Sequence, residues 1–221
     1  MSPTPPDAQP EAPPEAPKDC PLCPRLVAYR QENARAHPDW FNGAAASFGD
    51  AGAHLLVVGL APGRMGANRT GRPFTGDYAG ELLYATLKKF GFAKGSYRAD
   101  PNDGFTLVGA MITNAVRCAP PENKPTPEEI KICRPFLAAR IAALPRLKVI
   151  LALGAIAHES VLRAYGMKLA DAKFAHGAQT LLRKGQTLVS SYHCSRYNTQ
   201  TRRLTTEMFE TLFARAKELA G

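Results

Sequence analysis

The chain has 221 residues, of which 45% are hydrophobic, and its 28 Lys and Arg outnumber its 19 Asp and Glu. This length allows one substantial core, so we expect a single domain. The longest apolar run, residues 149–157, is too short to span a bilayer, and no apolar stretch follows the first residues, which predicts a cytoplasmic protein without a membrane partner. The net charge of +9 fits a polyanionic partner and ordinary solubility equally well.

The N-terminal 18 residues are rich in Pro, Ala and Glu and show no periodicity. This composition is typical of an extended, disordered tail. We therefore expect the fold to begin near Asp19 and to occupy residues 19–221 as one domain.

Five cysteines in a chain without an export signal indicate metal or redox chemistry rather than disulfides. Cys20 and Cys23 form a C-x2-C pair, whereas Cys118 and Cys133 are separated by fourteen residues. Four thiolates can hold a [4Fe–4S] cluster or a zinc ion, and the split second pair favours the cluster over a zinc ribbon. Spacing alone leaves both metals open, together with buried structural cysteines. Cys194 needs no role beyond that of a small buried hydrophobe.

Along the chain, apolar runs alternate with segments of helical spacing. The runs are nearly continuous rather than alternating, as in strands buried on both faces. This order predicts an α/β fold, a three-layer α/β/α sandwich with a four-stranded parallel central sheet. The third helix opens with a capping box, Thr126-Pro127-Glu128-Glu129. The predicted strands are 54–59, 106–113, 148–153 and 187–192, and the predicted helices are 26–36, 80–90, 127–144, 155–165 and 204–219.

Ligands of such sheets bind outside the carboxyl ends of the strands. The first predicted strand runs into a glycine-rich segment that carries Phe74 and Asp77, the second ends at Asn114, and the fourth is followed by His193. Taken singly, Phe74 fits a core aromatic, Asp77 a helix N-cap and His193 a core histidine with its hydrogen bonds satisfied. Because their strands end at one edge of the sheet, we expect them to share a crevice.

Four motifs in this order carry a resemblance: GLAPG (59–63), GANRTGRPFTGD (66–77), TNAVRC (113–118) and H-x-S-x-x-N (193–198). Together they resemble the uracil-DNA glycosylase superfamily, and closely its family five, the iron–sulfur type. The resemblance runs from Cys20 to the C-terminus. It implies a monofunctional enzyme that hydrolyses the N-glycosidic bond of a deaminated base in DNA and leaves an abasic site. It also implies a structural [4Fe–4S] cluster held by Cys20, Cys23, Cys118 and Cys133.

The resemblance further implies roles for individual residues. Asp77 would support the sugar cation and position or deprotonate water, and His193 would donate a hydrogen bond to the base O2. Phe74 would stack on the flipped base and Asn114 would bind its Watson–Crick edge. Gly59, Ala61 and Gly63 would line the base pocket. The residues expected to contact DNA are Arg64, Ser195, Arg196, Tyr197, Asn198 and Arg202.

Other members of the superfamily often carry a polar residue where this chain has Leu60-Ala61. We therefore expect Asp77 alone to supply the polar group that acts on the sugar and the water. Arg64-Met65 also departs from the family pattern and places Arg64 near a phosphate or the pocket. The small residues 61–63 predict broad specificity that extends to hypoxanthine, xanthine and ethenocytosine. We expect a monomer that binds damaged DNA. The alternative is a non-catalytic nucleic-acid-binding module with a structural metal, which explains the charge and the cysteines but not the shared crevice.

Overall fold

The computed structural model describes residues 14–221. The helices of this part of the chain are α1 (Pro24–Ala36), α2 (Ala67–Thr70), α3 (Tyr78–Lys89), α4 (Pro127–Ala142), α5 (Ala155–Ala164), α6 (Arg196–Gln200) and α7 (Thr206–Ala220). The strands are β1 (Phe48–Gly49), β2 (Leu55–Gly59), β3 (Ala93–Lys94), β4 (Thr106–Leu107), β5 (Ala110–Asn114), β6 (Val149–Leu153), β7 (Gln179–Leu181) and β8 (Thr187–Ser191).

The main sheet has six strands in the order β1-β5-β2-β6-β8-β7. Its four central strands are parallel, as predicted, and start in register with Leu55 opposite Ala110 and Val149. The prediction of only four strands is wrong, because β1 and β7 add an antiparallel strand at each edge. These edge strands have two and three residues, which is too short for a hydrophobic pattern to mark them.

The strand predicted over 106–113 is divided in two. Gly109 adopts a left-handed φ of +61°, which interrupts the extended backbone. The residues before it form β4 and pair with β3 in a separate two-stranded sheet, while the residues after it form β5. A glycine turn inside one apolar run therefore separates two strands that belong to different sheets.

Helices cover both faces of the main sheet. Leu55 and Val57 of β2 pack toward α3 and α7, whereas Leu56 and Val58 pack toward α4 and α5. This alternation buries each central strand on two sides, which explains its continuous apolar sequence. The three-layer α/β/α sandwich predicted from the sequence is confirmed.

The predicted capping box at the start of α4 is also confirmed. The Glu129 backbone N–H donates to the Thr126 hydroxyl at 3.2 Å, and the Thr126 N–H donates to the Glu129 carboxylate at 2.8 Å. Arg25 of α1 donates to the same carboxylate at 2.7 Å. The cap thereby joins α1 to α4, the helix that carries Cys133.

The fold begins before Asp19. Ala16 is buried in a small cluster with Cys20 and Leu26, and the Glu15 carboxylate pairs with two arginines of the core. A disordered tail that extends to residue 18 is therefore wrong for residues 14–18, and residues 1–13 lie outside the described part. Between residues 14 and 221, the structure contains no helix with the length and apolar character needed to cross a membrane.

Candidate active site

The carboxyl ends of β2, β5 and β8 open onto a crevice with a volume of about 360 Å³. The crevice predicted from the strand ends is therefore present, and it brings together residues from five separate segments of the chain. Its lining consists of Leu60, Ala61, Pro62, Gly63, Phe74, Asp77, Tyr78, Ala79, Asn114, Asn123, His193, Ser195 and Arg196.

Asn114, the last residue of β5, supplies an unsatisfied amide to this crevice. The residue is 3% exposed, and its Oδ1 atom has no hydrogen-bond partner among the described residues. A side chain at Gly59 would overlap that oxygen and would lie 2.7 Å from the Phe74 ring, so glycine lets the two groups meet. Because buried polar atoms are almost always paired, the free oxygen indicates a ligand that donates a hydrogen bond.

Phe74 forms an apolar wall of the crevice in a strained backbone conformation. Its φ of +54° lies in the left-handed region, which is unfavourable for a residue with a side chain. Its ring centroid lies 6.0 Å from that of His193, at an interplanar angle of 26°. A planar ligand needs about 3.5 Å on each side, so it stacks on Phe74 only if His193 lies at its edge.

Asp77 uses its two carboxylate oxygens differently. One oxygen accepts a hydrogen bond from the Gly80 N–H at 3.2 Å and caps α3. The other lies against the glycine-rich segment, where a side chain at Gly66 would clash with it and one at Gly63 would lie 3.2 Å away. Burial raises the pKa of Asp77, although the backbone N–H groups of Gly80 and Ala79 offset part of that effect. The carboxylate is therefore a stronger proton acceptor than an exposed one.

His193 faces the crevice as a neutral imidazole. Burial lowers the pKa of its ring to about 4, so the ring is uncharged near pH 7 and can donate one N–H. The Asn198 side chain donates to the His193 backbone carbonyl at 2.8 Å. Asn198 thus supports the position of the histidine, and its predicted contact with DNA stays a prediction.

The residues after His193 form an exposed rim, here called the α6 rim, that consists of Arg196, Tyr197 and Arg202. The Arg196 guanidinium lies 5.0 Å from the centre of the Tyr78 ring, and Tyr197 is 71% exposed. Ser195 caps α6 by accepting a hydrogen bond from the Asn198 N–H at 3.4 Å. The rim thus presents an aromatic side chain and two cations beside the crevice.

Arg64 lies next to the crevice but is turned away from it. Its Nε donates to Asn33 Oδ1 at 2.7 Å, another nitrogen lies 3.1 Å from the His37 ring, and the guanidinium covers the Trp40 ring. These contacts engage the side chain with α1 and the residues that follow it. Arg64 is not among the residues that line the crevice, and its predicted contact with a phosphate stays a prediction.

Asn123 lines the crevice, although no sequence pattern marks it as a site residue. Asn123 and Glu122 both adopt left-handed backbone conformations, with φ of +57° and +54°. Such strained residues cluster at functional sites. Only the preceding Pro-Pro pair signals an unusual turn, and the sequence does not show that this turn reaches the strand ends.

Four of the five cysteines, all except Cys194, line one small apolar pocket together with Leu26 and Val116. All are free thiols, and burial raises the pKa of Cys118 to about 11 and that of Cys133 to about 12. The Arg117 N–H donates to Cys133 Sγ at 3.3 Å. Within residues 14–221 no three His, Cys, Asp or Glu side chains are arranged as metal ligands. The structure thus brings Cys20, Cys23, Cys118 and Cys133 together without a ligand geometry.

Comparison with known proteins places this geometry in a family. The model of the uracil DNA glycosylase superfamily matches residues 46–217. A type-5 uracil-DNA glycosylase of Thermus thermophilus is 47% identical over 208 residues, which cover 91% of this chain and 94% of the relative. A type-5 enzyme of Mycobacterium tuberculosis is 41% identical over 91% of this chain and 78% of its own length. A type-4 enzyme of Archaeoglobus fulgidus is 30% identical over 78% of this chain and 80% of its own. The chain therefore belongs to the uracil-DNA glycosylase superfamily, among the type-5 members.

Proposed function

We propose that the crevice hydrolyses the N-glycosidic bond of uracil in DNA and leaves an abasic site, as in base-excision repair. The observation that carries this proposal is the buried Asn114 Oδ1 without a protein donor, in one crevice with Phe74, Asp77 and His193. Uracil supplies the missing donor, because its N3 atom carries a hydrogen. The similarity to type-5 uracil-DNA glycosylases supports the same activity.

A base stacked inside a duplex cannot enter this crevice, so it must first be flipped out. The flipped ring stacks on Phe74, its N3–H donates to Asn114 Oδ1, and its O4 accepts from the Asn114 amide nitrogen. Tyr197 and the arginines of the α6 rim contact the minor groove and occupy the space that the base leaves.

Bond cleavage leaves negative charge on the base and positive charge on the sugar. The neutral His193 ring donates its N–H to the base O2 and stabilises the departing anion. Asp77 stabilises the sugar cation and accepts a proton from the water that adds to the sugar carbon. Its raised pKa suits proton transfer, and Asn123, which lines the same crevice, orients the water.

Two features support broader and monofunctional chemistry. Ala61 and Gly63 leave space for bases larger than uracil, so hypoxanthine, xanthine and ethenocytosine are further substrates. No lysine is found among the described residues that line the crevice, which disfavours a Schiff-base step after the base departs.

We also propose a structural [4Fe–4S] cluster at Cys20, Cys23, Cys118 and Cys133. The type and number of the donors suit such a cluster, because four thiols line one apolar pocket and the Arg117 backbone N–H donates to one of the sulfur atoms. When bound, the cluster supplies a cross-link between α1, the segment after β5 and α4, and it takes no part in hydrolysis. Iron and acid-labile sulfide in anaerobically purified protein test this assignment, and zinc without iron contradicts it.

The function is tested with duplex oligonucleotides that each carry uracil, hypoxanthine, xanthine or ethenocytosine, followed by alkaline cleavage at abasic sites. We expect strand breaks with uracil and with some of the other bases, and none with an undamaged control. Binding to DNA without product from any oligonucleotide overturns the proposal in favour of a non-catalytic nucleic-acid-binding module. A monomeric state and a cytoplasmic location remain predictions.

A further inference from the structure

The segment that carries Phe74 and Asp77 has an unfavourable backbone and needs outside support. Phe74 and Gly76 both have left-handed φ angles, +54° and +91°. A left-handed residue other than glycine costs free energy and persists only when its surroundings enforce it. Some contact outside the crevice must therefore hold Phe74 in this conformation.

The Tyr97 hydroxyl contacts the segment on both sides of the strained residue. It donates to the Phe74 carbonyl at 3.2 Å and accepts from the Gly76 N–H at 3.4 Å. It also lies against the first turn of α3, because a side chain at Gly80 would come within 2.8 Å of it. One oxygen atom thus bridges Phe74 and the residue that precedes Asp77.

Tyr97 is itself held firmly. Its ring stacks on Tyr84 with centroids 4.5 Å apart and an interplanar angle of 25°. The adjacent Arg98 N–H donates to the Asp103 carboxylate at 2.9 Å, and that carboxylate forms a buried ion pair with Arg72 at 2.8 Å. Arg72 begins the segment that contains Phe74, so the loop of Tyr97 and this segment are joined at two points.

We propose that Tyr97 is a positioning residue for the hydrolysis, an inference that rests on the proposed function. Its hydroxyl holds the Phe74 ring and the Asp77 carboxylate in the arrangement that receives the flipped base. Tyr97 does not line the crevice, so it acts through these two residues and not on the base.

The test is Tyr97→Phe, which removes one oxygen and leaves the ring packing in place. We expect the single-turnover rate on uracil at saturating enzyme to fall about 10- to 100-fold, since small displacements of reacting groups have effects of this size. Tyr165→Phe is the matched control, because its hydroxyl donates to Gln186 at 3.2 Å away from the crevice. The control should keep the wild-type rate, and both variants should unfold at similar temperatures.

A double-mutant cycle distinguishes positioning of the site residues from a general destabilisation of the fold. In a Phe74→Ala background the additional effect of Tyr97→Phe should shrink, because one of the groups that it positions is gone. A wild-type rate in Tyr97→Phe, or a loss that is equally large in both backgrounds, overturns the inference. Wild-type protein that is inactive on uracil contradicts the proposed function instead, so the two failures are distinguishable.

Discussion

At the scale of single residues, Asp77 is both the N-cap of α3 and a carboxylate of the crevice, which its position in the sequence presents as alternatives. One oxygen caps α3 and the other lies against Gly63 and Gly66. The cap fixes the side chain, and the glycines give its second oxygen room. A helix-capping residue is thereby available for chemistry without a change of conformation.

His193 gives the first prediction. His193→Ala should raise the barrier to excision by about 2–4 kcal/mol, because it removes the hydrogen-bond donor that we propose for the departing base. The single-turnover rate on uracil measures this effect. The control is His54→Ala, since His54 precedes β2 at the opposite end of the sheet. An unchanged rate in His193→Ala would remove this residue from the mechanism.

The pKa of His193 adds a pH dependence to the same experiment. Because burial lowers that pKa to about 4, the ring stays neutral throughout the range around pH 6.5 where an exposed histidine titrates. The wild-type rate should therefore show no inflection near pH 6.5 that is lost in His193→Ala. An inflection of this kind would mean that His193 titrates near pH 6.5, which contradicts the lowered pKa.

The sequence predicts residues at strand ends better than residues on connecting turns. Phe74, Asp77, Asn114 and His193 are found in the crevice because each follows or ends a central strand. Asn123 reaches the crevice only because the turn that carries it lies against the strand ends, which the sequence does not show. The orientation of Arg64 depends on partners that lie in and after α1, far away in the sequence.

At the scale of elements, the hydrophobic pattern predicts the buried central strands and the long helices. The edge strands β1 and β7 have no such pattern, since they are short and only partly buried. The division at Gly109 escapes prediction for a different reason. A single glycine inside a strand is compatible with a bulge, a bend or a break, and tertiary pairing decides among them.

The N-terminal segment supplies an element-scale prediction. The guanidinium of Arg117, 1% exposed, pairs with Glu15 at 3.0 Å, and Arg140 of α4 pairs with the same carboxylate at 2.6 Å. Glu15→Gln leaves a buried cation uncompensated, so the free energy of unfolding in urea should fall by about 1–3 kcal/mol. Glu218→Gln breaks only an exposed pair with Arg215 and serves as the control. Equal stabilities of the two variants would show that residues 14–18 do not support the core.

At the scale of the whole molecule, the crevice at the ends of β2, β5 and β8 lies beside the arginines of the α6 rim, so both are on one side of the protein. The net charge of +9 fits binding to DNA. A protein that binds DNA releases cations from the phosphates, so its affinity falls as the salt concentration rises. The position of the arginines, and not the total charge alone, should therefore decide the salt dependence.

Arg202→Gln should weaken binding to duplexes of any sequence and lower the slope of log affinity against log salt by about 1. Arg202 borders a cavity that shares Tyr78 with the crevice. Arg183→Gln is the matched control, because exposed Arg183 lies between β7 and β8 at the opposite end of β8. Fluorescence anisotropy at several salt concentrations gives both slopes, and equal slopes would exclude the α6 rim as the DNA surface.

Asp77→Asn tests whether the Asp77 carboxylate takes part in base excision, because Asn is also a good N-cap and keeps the fold. Burial raises the pKa of Asp77, so the folded state binds this proton more tightly than the unfolded state and stability falls as pH rises past the unfolded value. The neutral variant should therefore be no less stable at neutral pH and should bind uracil-containing DNA normally. Its single-turnover excision rate should fall by about 10²- to 10⁴-fold. Excision at the wild-type rate would contradict a catalytic role for the Asp77 carboxylate.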